Sequence, residues 1–171
     1  MNEPPRLQKR TADSRFTLSA LMGPQDANSL GNVHGGVIMR MVDEAGALVA
    51  MRHANLPVVT VAVDSMTFVE PIRIGMLVMC KGEITYAGRT SMEVRVEVTA
   101  ENPFLGEGKR TNTAYLVYVA LDGSGSPAVV PDLLCETPEE IDRAAQARER
   151  QAFRKRQRAL EDQRTTQAES S

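Results

Sequence analysis

The sequence predicts an α+β fold in which an antiparallel sheet wraps around one long helix. Three observations carry this expectation. Between Val37 and His53 the apolar residues Val37, Ile38, Met41, Val42, Ala45, Leu48 and Val49 recur at helical spacing, without proline. After Pro57 the chain becomes β-branched and is cut by glycine- and proline-bearing turns. Within Ser91–Thr99 the residues Met92, Val94, Val96 and Val98 alternate with Glu93, Arg95 and Glu97. That period of two predicts a strand with one face on the helix and one in water.

Residues 1–14 are polar and proline-bearing and are expected to be disordered. Phe16–Met22 suits a first strand, and Gly23–Asn28 is loop chemistry. Two glycines, Gly35 and Gly36, stand where the long helix should begin, and Pro57 follows its end. Val58–Phe68 is apolar on both faces and reads as a strand covered on both sides. Asp64 is its only charge and is read as a strand-end or ion-pairing residue. Met76–Tyr86 is a further strand, Ala87–Thr90 a turn, residues 101–108 a longer loop and Thr111–Leu121 the last long strand. Thr137-Pro138-Glu139-Glu140 is a helix start, with threonine as cap, proline at the first position and glutamate at the third. Of the 35 residues from Thr137 onward, 15 are charged, which predicts a solvated helical extension. The expected division is a tail over 1–14, a main domain over 15–135 and an extension over 136–171.

Placed around the helix at about 100° per residue, Asp43 falls opposite the aliphatic arc. Its neighbours there are Met39, Gly46, Ala47 and Ala50. Arg40 and Glu44 share another arc and suit a surface pair. A solvated face would carry lysine or glutamate; a face this small predicts close packing by a strand, a second subunit or a ligand. A carboxylate in a partly dry place is costly unless hydrogen-bonded, and such groups are candidates for catalysis. The helix start adds unpaired backbone N–H groups and the positive end of the dipole. Gly35 and Gly36 leave them open to a carbonyl oxygen, the geometry of an oxyanion hole. Asn32 offers an amide for a water or a carbonyl. Each feature has a plainer reading: a turn for the glycines, a solvated carboxylate for Asp43, a structural role for His34.

A net charge of −2 argues against a nucleic-acid partner, and the basic run Arg154–Arg158 is flanked by Glu149, Glu161 and Asp162. No apolar run reaches membrane-spanning length, and residues 1–6 carry no apolar signal region. Cys80 and Cys135 read as free thiols of a reducing cytoplasm. His34 and His53 are the only histidines, and no Cys/His cluster has metal spacing, so no metal is expected.

Asn32-Val-His-Gly-Gly36, Met41-Val-Asp-Glu-Ala-Gly-Ala47, Val59–Phe68 with Pro71 and Gly75, and the turn Gly88-Arg-Thr-Ser91 together resemble the hotdog-fold acyl-CoA thioesterase family, of the cytosolic long- or medium-chain type. The resemblance covers roughly residues 16–131. It implies hydrolysis of acyl-CoA to a fatty acid and coenzyme A. No cofactor is needed, because coenzyme A is part of the substrate. It also implies homodimers, often grouped as trimers of dimers, with the active site at the dimer interface. There Asn32 of one subunit would meet Asp43 of its partner. Asp43 is then the general base, Gly35 and Gly36 the oxyanion donors, and His34, Thr60, Arg89, Thr90, Ser91, Lys109 and Arg110 the substrate-binding candidates. The three cations among these are candidates for the coenzyme's phosphates. The same fold also serves enoyl-CoA hydratases and non-catalytic acyl-CoA-binding regulators, which stay open here.

Overall fold

The computed structural model describes residues 6–64, 66 and 69–169, with side chains through Gln163. Contacts divide the chain into Met1–Leu134 and Cys135–Ser171.

The first unit is built on α2, Gly35–Ala54, which begins two residues before the expected Val37 and ends one residue after His53. Its apolar arc is the core: Ile38, Met41, Val42, Ala45 and Val49 are all buried, while Val37 and Leu48 are half-buried. Side chains of this size each contribute about 1.5–3 kcal/mol on full burial. The helix ends at Asn55, which takes the left-handed conformation (φ 53°) and donates its N–H to the Met51 carbonyl. That is a standard way to satisfy a last-turn carbonyl.

Around α2 curls a five-stranded antiparallel sheet. Its strands are β2 (Phe16–Leu21), β3 (Val58–Val63), β4 (Leu77–Ala87), β5 (Ser91–Asn102) and β6 (Glu107–Ala120), in the order β2-β4-β5-β6-β3. The alternation in β5 is realised: Met92, Val94, Val96, Val98 and Ala100 are buried against the helix side. Gly82 of β4 lets the helix come close, because a Cβ there would stand 2.7 Å from the Val49 Cγ2 methyl.

The opposite face of the sheet differs from expectation. Glu93 is buried and Glu83 nearly so, rather than facing water. Thr85 donates to a Glu93 carboxylate oxygen at 2.8 Å, and Arg95 pairs with Glu97 at 2.7 Å and Glu83 at 3.4 Å. Cross-strand neighbours β4 and β5 thus hold their charges in a bonded lattice rather than in solvent.

Two boundaries also move, and one strand lies elsewhere in the sheet than expected. β5 and β6 run to Asn102 and from Glu107, so the expected loop at 101–108 is a tight hairpin, closed by N–H groups of Leu105 and Gly106 on the Asn102 carbonyl. β3 is an edge strand, not one covered on both sides; Val59, Val61 and Val63 are 44–52% exposed. The rest of the expected strand includes Ser65, Thr67 and Phe68, which lie outside the described residues.

The N-terminal stretch is ordered where a disordered tail was expected. β1 (Gln8–Arg10) pairs in parallel with β7 (Asp132–Leu134), and Thr11–Ser14 forms the short helix α1. The cause lies at the far end of α2. His53 is fully buried there, with Nδ1 3.3 Å from the Ser14 hydroxyl and Nε2 3.0 Å from the Pro131 carbonyl. Lys9 adds hydrogen bonds to the last-turn carbonyls of Arg52 and His53. One imidazole therefore ties together α1, α2 and the segment leading into β7.

The second unit is the helix α3, Pro138–Glu169. Its start is the capping box expected from the sequence: the Glu140 N–H donates to the Thr137 hydroxyl, and the Glu140 carboxylate accepts from the Thr137 and Glu136 amides.

Burial holds the His53 imidazole below its usual value near 6.5, an effect opposed by its bond to Pro131 and aided by nearby Lys9. The folded state keeps His53 neutral while the unfolded chain takes up a proton as pH falls past about 6.5. His53 therefore adds stability in full above that value and loses it as pH drops below it. The urea midpoint should fall between pH 7.5 and 5.5, and His53→Gln should fall less over the same interval.

Candidate active site

Asp43 lies two turns into α2 and is half-buried. Its surroundings come from the sheet's edge. In the β3–β6 register Thr60 stands directly opposite Tyr118, so both side chains reach the helix side together. The Thr60 hydroxyl donates to Asp43 Oδ1 at 2.7 Å. The Tyr118 hydroxyl lies 3.2 Å from the same oxygen and 3.0 Å from the Asp43 backbone carbonyl. No described residue donates to Oδ2. Directly after Thr60 the β3–β6 register slips, leaving Val61 as an extra residue. Bulges of this kind re-aim side chains next to sites.

Tyr118 itself is fully buried. Burial raises its phenol well above the usual range, the Asp43 charge and the bond to Asp43 raise it further, and a hydrogen bond with Thr60 acts the other way. Tyr118 is thus a proton-bearing donor at any physiological pH.

The small face beside Asp43 has its explanation inside the chain. A Cβ on Gly46 would stand 2.3 Å from the Tyr118 hydroxyl oxygen, so the glycine makes the space that the phenol fills. Gly46 and Ala50 are buried, while Met39 remains 51% exposed.

At the helix start the glycine amides are not equivalent. His34 is the N-cap, and its Nδ1 accepts from the Gly36 N–H at 2.9 Å. The expected pair of open amides is therefore reduced to Gly35, whose N–H meets no acceptor among the described residues. The physical reason is ordinary capping: a side-chain acceptor satisfies one of the orphan donors of the first turn. His34 is accordingly placed as a cap.

Asn32 sits in the loop before the helix, bridged to Arg73, with a half-buried side chain that bonds to no described residue. Asn28, read from the sequence only as a turn former, is the knot of that loop. Its Oδ1 accepts from the Leu30 and Asn32 amides, and its own N–H donates to the Asn32 carbonyl. Its Nδ2 is left as a free donor among the described residues.

The remaining candidates separate along the sheet. Arg89, Thr90 and Ser91 lie on the β4–β5 turn at the Tyr118 end; the Ala120 N–H donates to the Thr90 carbonyl, and the Gly88 N–H to the Ser91 carbonyl. Lys109 and Arg110 lie nine and eight residues up β6 from Tyr118, roughly 30 Å at a strand's rise. They pair with Glu70 at 3.6 Å and Glu97 at 3.7 Å on an exposed surface. A separate cleft of about 240 Å³ runs between β2 and α2, lined by Leu18, Leu21, Val37 and Met41 with Arg40 and Glu44, which pair at 3.1 Å. It lies on another face of the helix from Asp43.

Cys80 and Cys135 are free thiols, and burial beside the Glu44 charge pushes the Cys80 thiol up to about 12. That makes it a poor nucleophile. Among the described residues no three His, Cys, Asp or Glu side chains gather as metal ligands.

A single long helix held in a curled antiparallel sheet, with a half-buried carboxylate facing the sheet's edge strand, defines a hotdog-fold protein. Residues 30–106 match the model of the thioesterase superfamily. The acyl-CoA hydrolase of Staphylococcus aureus, solved with butyryl coenzyme A and coenzyme A, superposes with a TM-score of 0.85 at 32% identity, over 96% of this chain and 99% of that one. An apo-hexameric acyl-CoA thioesterase superposes with a TM-score of 0.86 at 38% identity, over 90% and 99%. The cytosolic acyl coenzyme A thioester hydrolase of Rattus norvegicus is 38% identical over 129 residues, 74% of this chain. The chain spans about a third (34%) of that relative's length. The chain belongs to the thioesterase superfamily, and the relatives it matches are named acyl-CoA thioester hydrolases. The S. aureus hydrolase has also been solved as variants in which an aspartate, an asparagine and a threonine are each replaced by alanine.

Of the groups now around Asp43, the sequence pointed to Thr60 but missed Tyr118. Its signal was present: Ala114, Leu116, Tyr118 and Ala120 share the helix-facing side of one strand, and a buried tyrosine hydroxyl needs a partner. If the glycine serves to admit that phenol, Gly46→Ala should lower unfolding stability by about 1–3 kcal/mol. Gly46→Ala with Tyr118→Phe should recover part of the loss, both read from denaturant midpoints.

Proposed function

We propose that this chain hydrolyses acyl-CoA thioesters to a carboxylic acid and coenzyme A. The observation that carries the reading is the Asp43 carboxylate, with Oδ1 held by two hydroxyls and Oδ2 free, in a member of a hydrolase family of that activity. The aspartate, threonine and asparagine replaced in the S. aureus relative are residue types that this site also contains, as Asp43, Thr60 and either Asn32 or Asn28.

In the proposed reaction Asp43 Oδ2 takes a proton from a water, whose oxygen attacks the thioester carbonyl carbon. The carbonyl oxygen becomes an oxyanion at the Gly35 N–H, with the positive end of the α2 dipole behind it. Collapse restores the carbonyl and breaks the C–S bond. Coenzyme A leaves as thiolate and takes the proton that Asp43 holds. The side-chain amide of Asn32 or the Nδ2 of Asn28 positions the water or the carbonyl. Direct attack by Asp43 as a nucleophile gives the same products. Arg89, with Thr90 and Ser91, lies at the Asp43 end of the sheet and suits the coenzyme's phosphates; Lys109 and Arg110 can serve only where another chain brings them near.

Helix geometry supports a site shared between two copies. Gly35 and Asp43 are eight residues apart on one straight helix, about 12 Å in axial rise. One thioester carbonyl cannot span that distance, so the amide and the base acting on it come from different chains. The outer edge of β3, which pairs with no further strand among the described residues and exposes Val59, Val61 and Val63, gives a second copy a place to add. A homodimer fits this edge, and three such dimers would make a hexamer, the state named for one of the neighbours. The mammalian relatives named cytosolic support a cytoplasmic location for this chain. No helix among the described residues is long and apolar enough to cross a membrane.

A thiol-release assay on a panel of acyl-CoA substrates tests the activity. Release of thiol separates hydrolysis from hydration of an enoyl group and from binding without turnover. Asp43→Asn should lower kcat by about 100-fold or more; near-normal turnover would remove Asp43 from this role. Asn32→Ala and Asn28→Ala, measured side by side, identify the working amide by the larger loss in kcat.

The shared site makes a further prediction. Asp43→Asn and the more damaging asparagine variant, each inactive alone, should regain activity when co-refolded, because some interfaces then combine two intact halves. Mixed samples that stay inactive would place both groups in one chain.

A further inference from the structure

We infer that Tyr118 is a positioning residue for the catalytic carboxylate, acting through Asp43 and not through the substrate. The inference rests on the thioesterase reading above and extends it to a residue outside the Asp–Asn–Thr set.

The geometry has three parts. First, the hydroxyl lies 3.2 Å from Oδ1 and 3.0 Å from the backbone carbonyl of the same residue, so one donor grips both ends of Asp43. A contact to the side chain alone would leave the χ angles free to swing; one shared with the backbone ties the carboxylate to the helix that carries it. Second, the strand register sets Thr60 opposite Tyr118, and both hydroxyls converge on Oδ1. Two donors on one oxygen fix the plane of the carboxylate and present Oδ2 as the face open to water. Third, the helix is built to admit the phenol, since any side chain at position 46 would overlap it. The ring is fully buried, so its hydroxyl has no solvent to turn to and stays on Asp43.

Thr60 is exposed on the edge strand and can meet substrate as well as Asp43. Tyr118 cannot, because its ring is enclosed by the sheet and α2. This separates the two donors in kind: Thr60 serves both binding and positioning, whereas Tyr118 serves positioning alone.

The test is a double-mutant cycle in the full-length protein with an acyl-CoA that the wild type turns over, scored by thiol release. Tyr118→Phe keeps the ring and removes only the hydroxyl. It should lower kcat by about ten- to a hundredfold, the range for losing one hydrogen bond to a charged group, with KM within about twofold of wild type. In the Asp43→Asn background the same change should cost less than about twofold, since the group it acts through is already lost. A kcat at the wild-type level in Tyr118→Phe overturns the inference. So does an equal loss in both backgrounds, which would mark a role independent of Asp43, and so does a rise in KM at constant kcat, which would mark a substrate contact. Absence of thiol release from the wild type on every acyl-CoA tried removes the thioesterase reading, and the inference with it. Activity in the wild type together with an unchanged Tyr118→Phe removes the inference alone.

Discussion

The contact between α2 and the far edge of the sheet, made where Asp43 meets the hydroxyls of Thr60 and Tyr118, organises the rest of the molecule. Elsewhere the helix meets the sheet through aliphatic side chains, which are indifferent to orientation. Here the contact is polar and directional, and it supplies the partner of the fully buried Tyr118 hydroxyl, which would be costly to leave unpaired. It therefore constrains the helix rotation that the oily core would leave looser. Gly46 sits one turn from Asp43 because the phenol must pass there, and the β3–β6 slip follows Thr60 at the point where β3 leaves its partner's register.

The two ends of α2 are fixed in different ways. At its start the His34 side chain caps Gly36 and leaves Gly35 alone as an open donor among the described residues. At its end a buried imidazole gathers Ser14 and the Pro131 carbonyl, and β1 closes on β7 beside it. The consequence is a rigid rod whose amide terminus and carboxylate are held about 12 Å apart. A helix so fixed cannot bring its own Gly35 amide and Asp43 carboxylate together. In the proposed reaction a single reacting centre then needs a second rod, and the exposed valines of β3 mark an edge that pairs with no further strand among the described residues.

Much of this was legible in the sequence. The helix periodicity, the helix-facing half of the alternation in β5 and the capping residues of α3 are local properties, and they survive into the fold. Asp43 stood out because it was the only charge on a small face. That face was read as room for a partner or a strand, and the strand turned out to be the chain's own, with Tyr118 filling the gap. Tyr118 was passed over because its place in β6 says that its hydroxyl needs a partner and not which one; the partner comes from what lies across the sheet. The N-terminal tail was misjudged for a similar reason. Its polar composition says nothing about Ser14 meeting a histidine 39 residues away. Glu93 was expected in water because alternation reports which side a residue faces and not what covers that side.

By itself the sequence determined the central helix and its apolar arc, the long strands that follow it, and the candidacy of Asp43 and of the glycines before the helix, because short-range steric and hydrophobic periodicities are written residue by residue. The tertiary structure alone decided that Tyr118 and Thr60 share one carboxylate oxygen, that His34 takes the Gly36 amide, that β3 lies at an edge and that His53 anchors the N-terminus. Each of these depends on strand register or on a contact between distant segments. Such contacts are set by how the whole chain packs, and no local spacing records them.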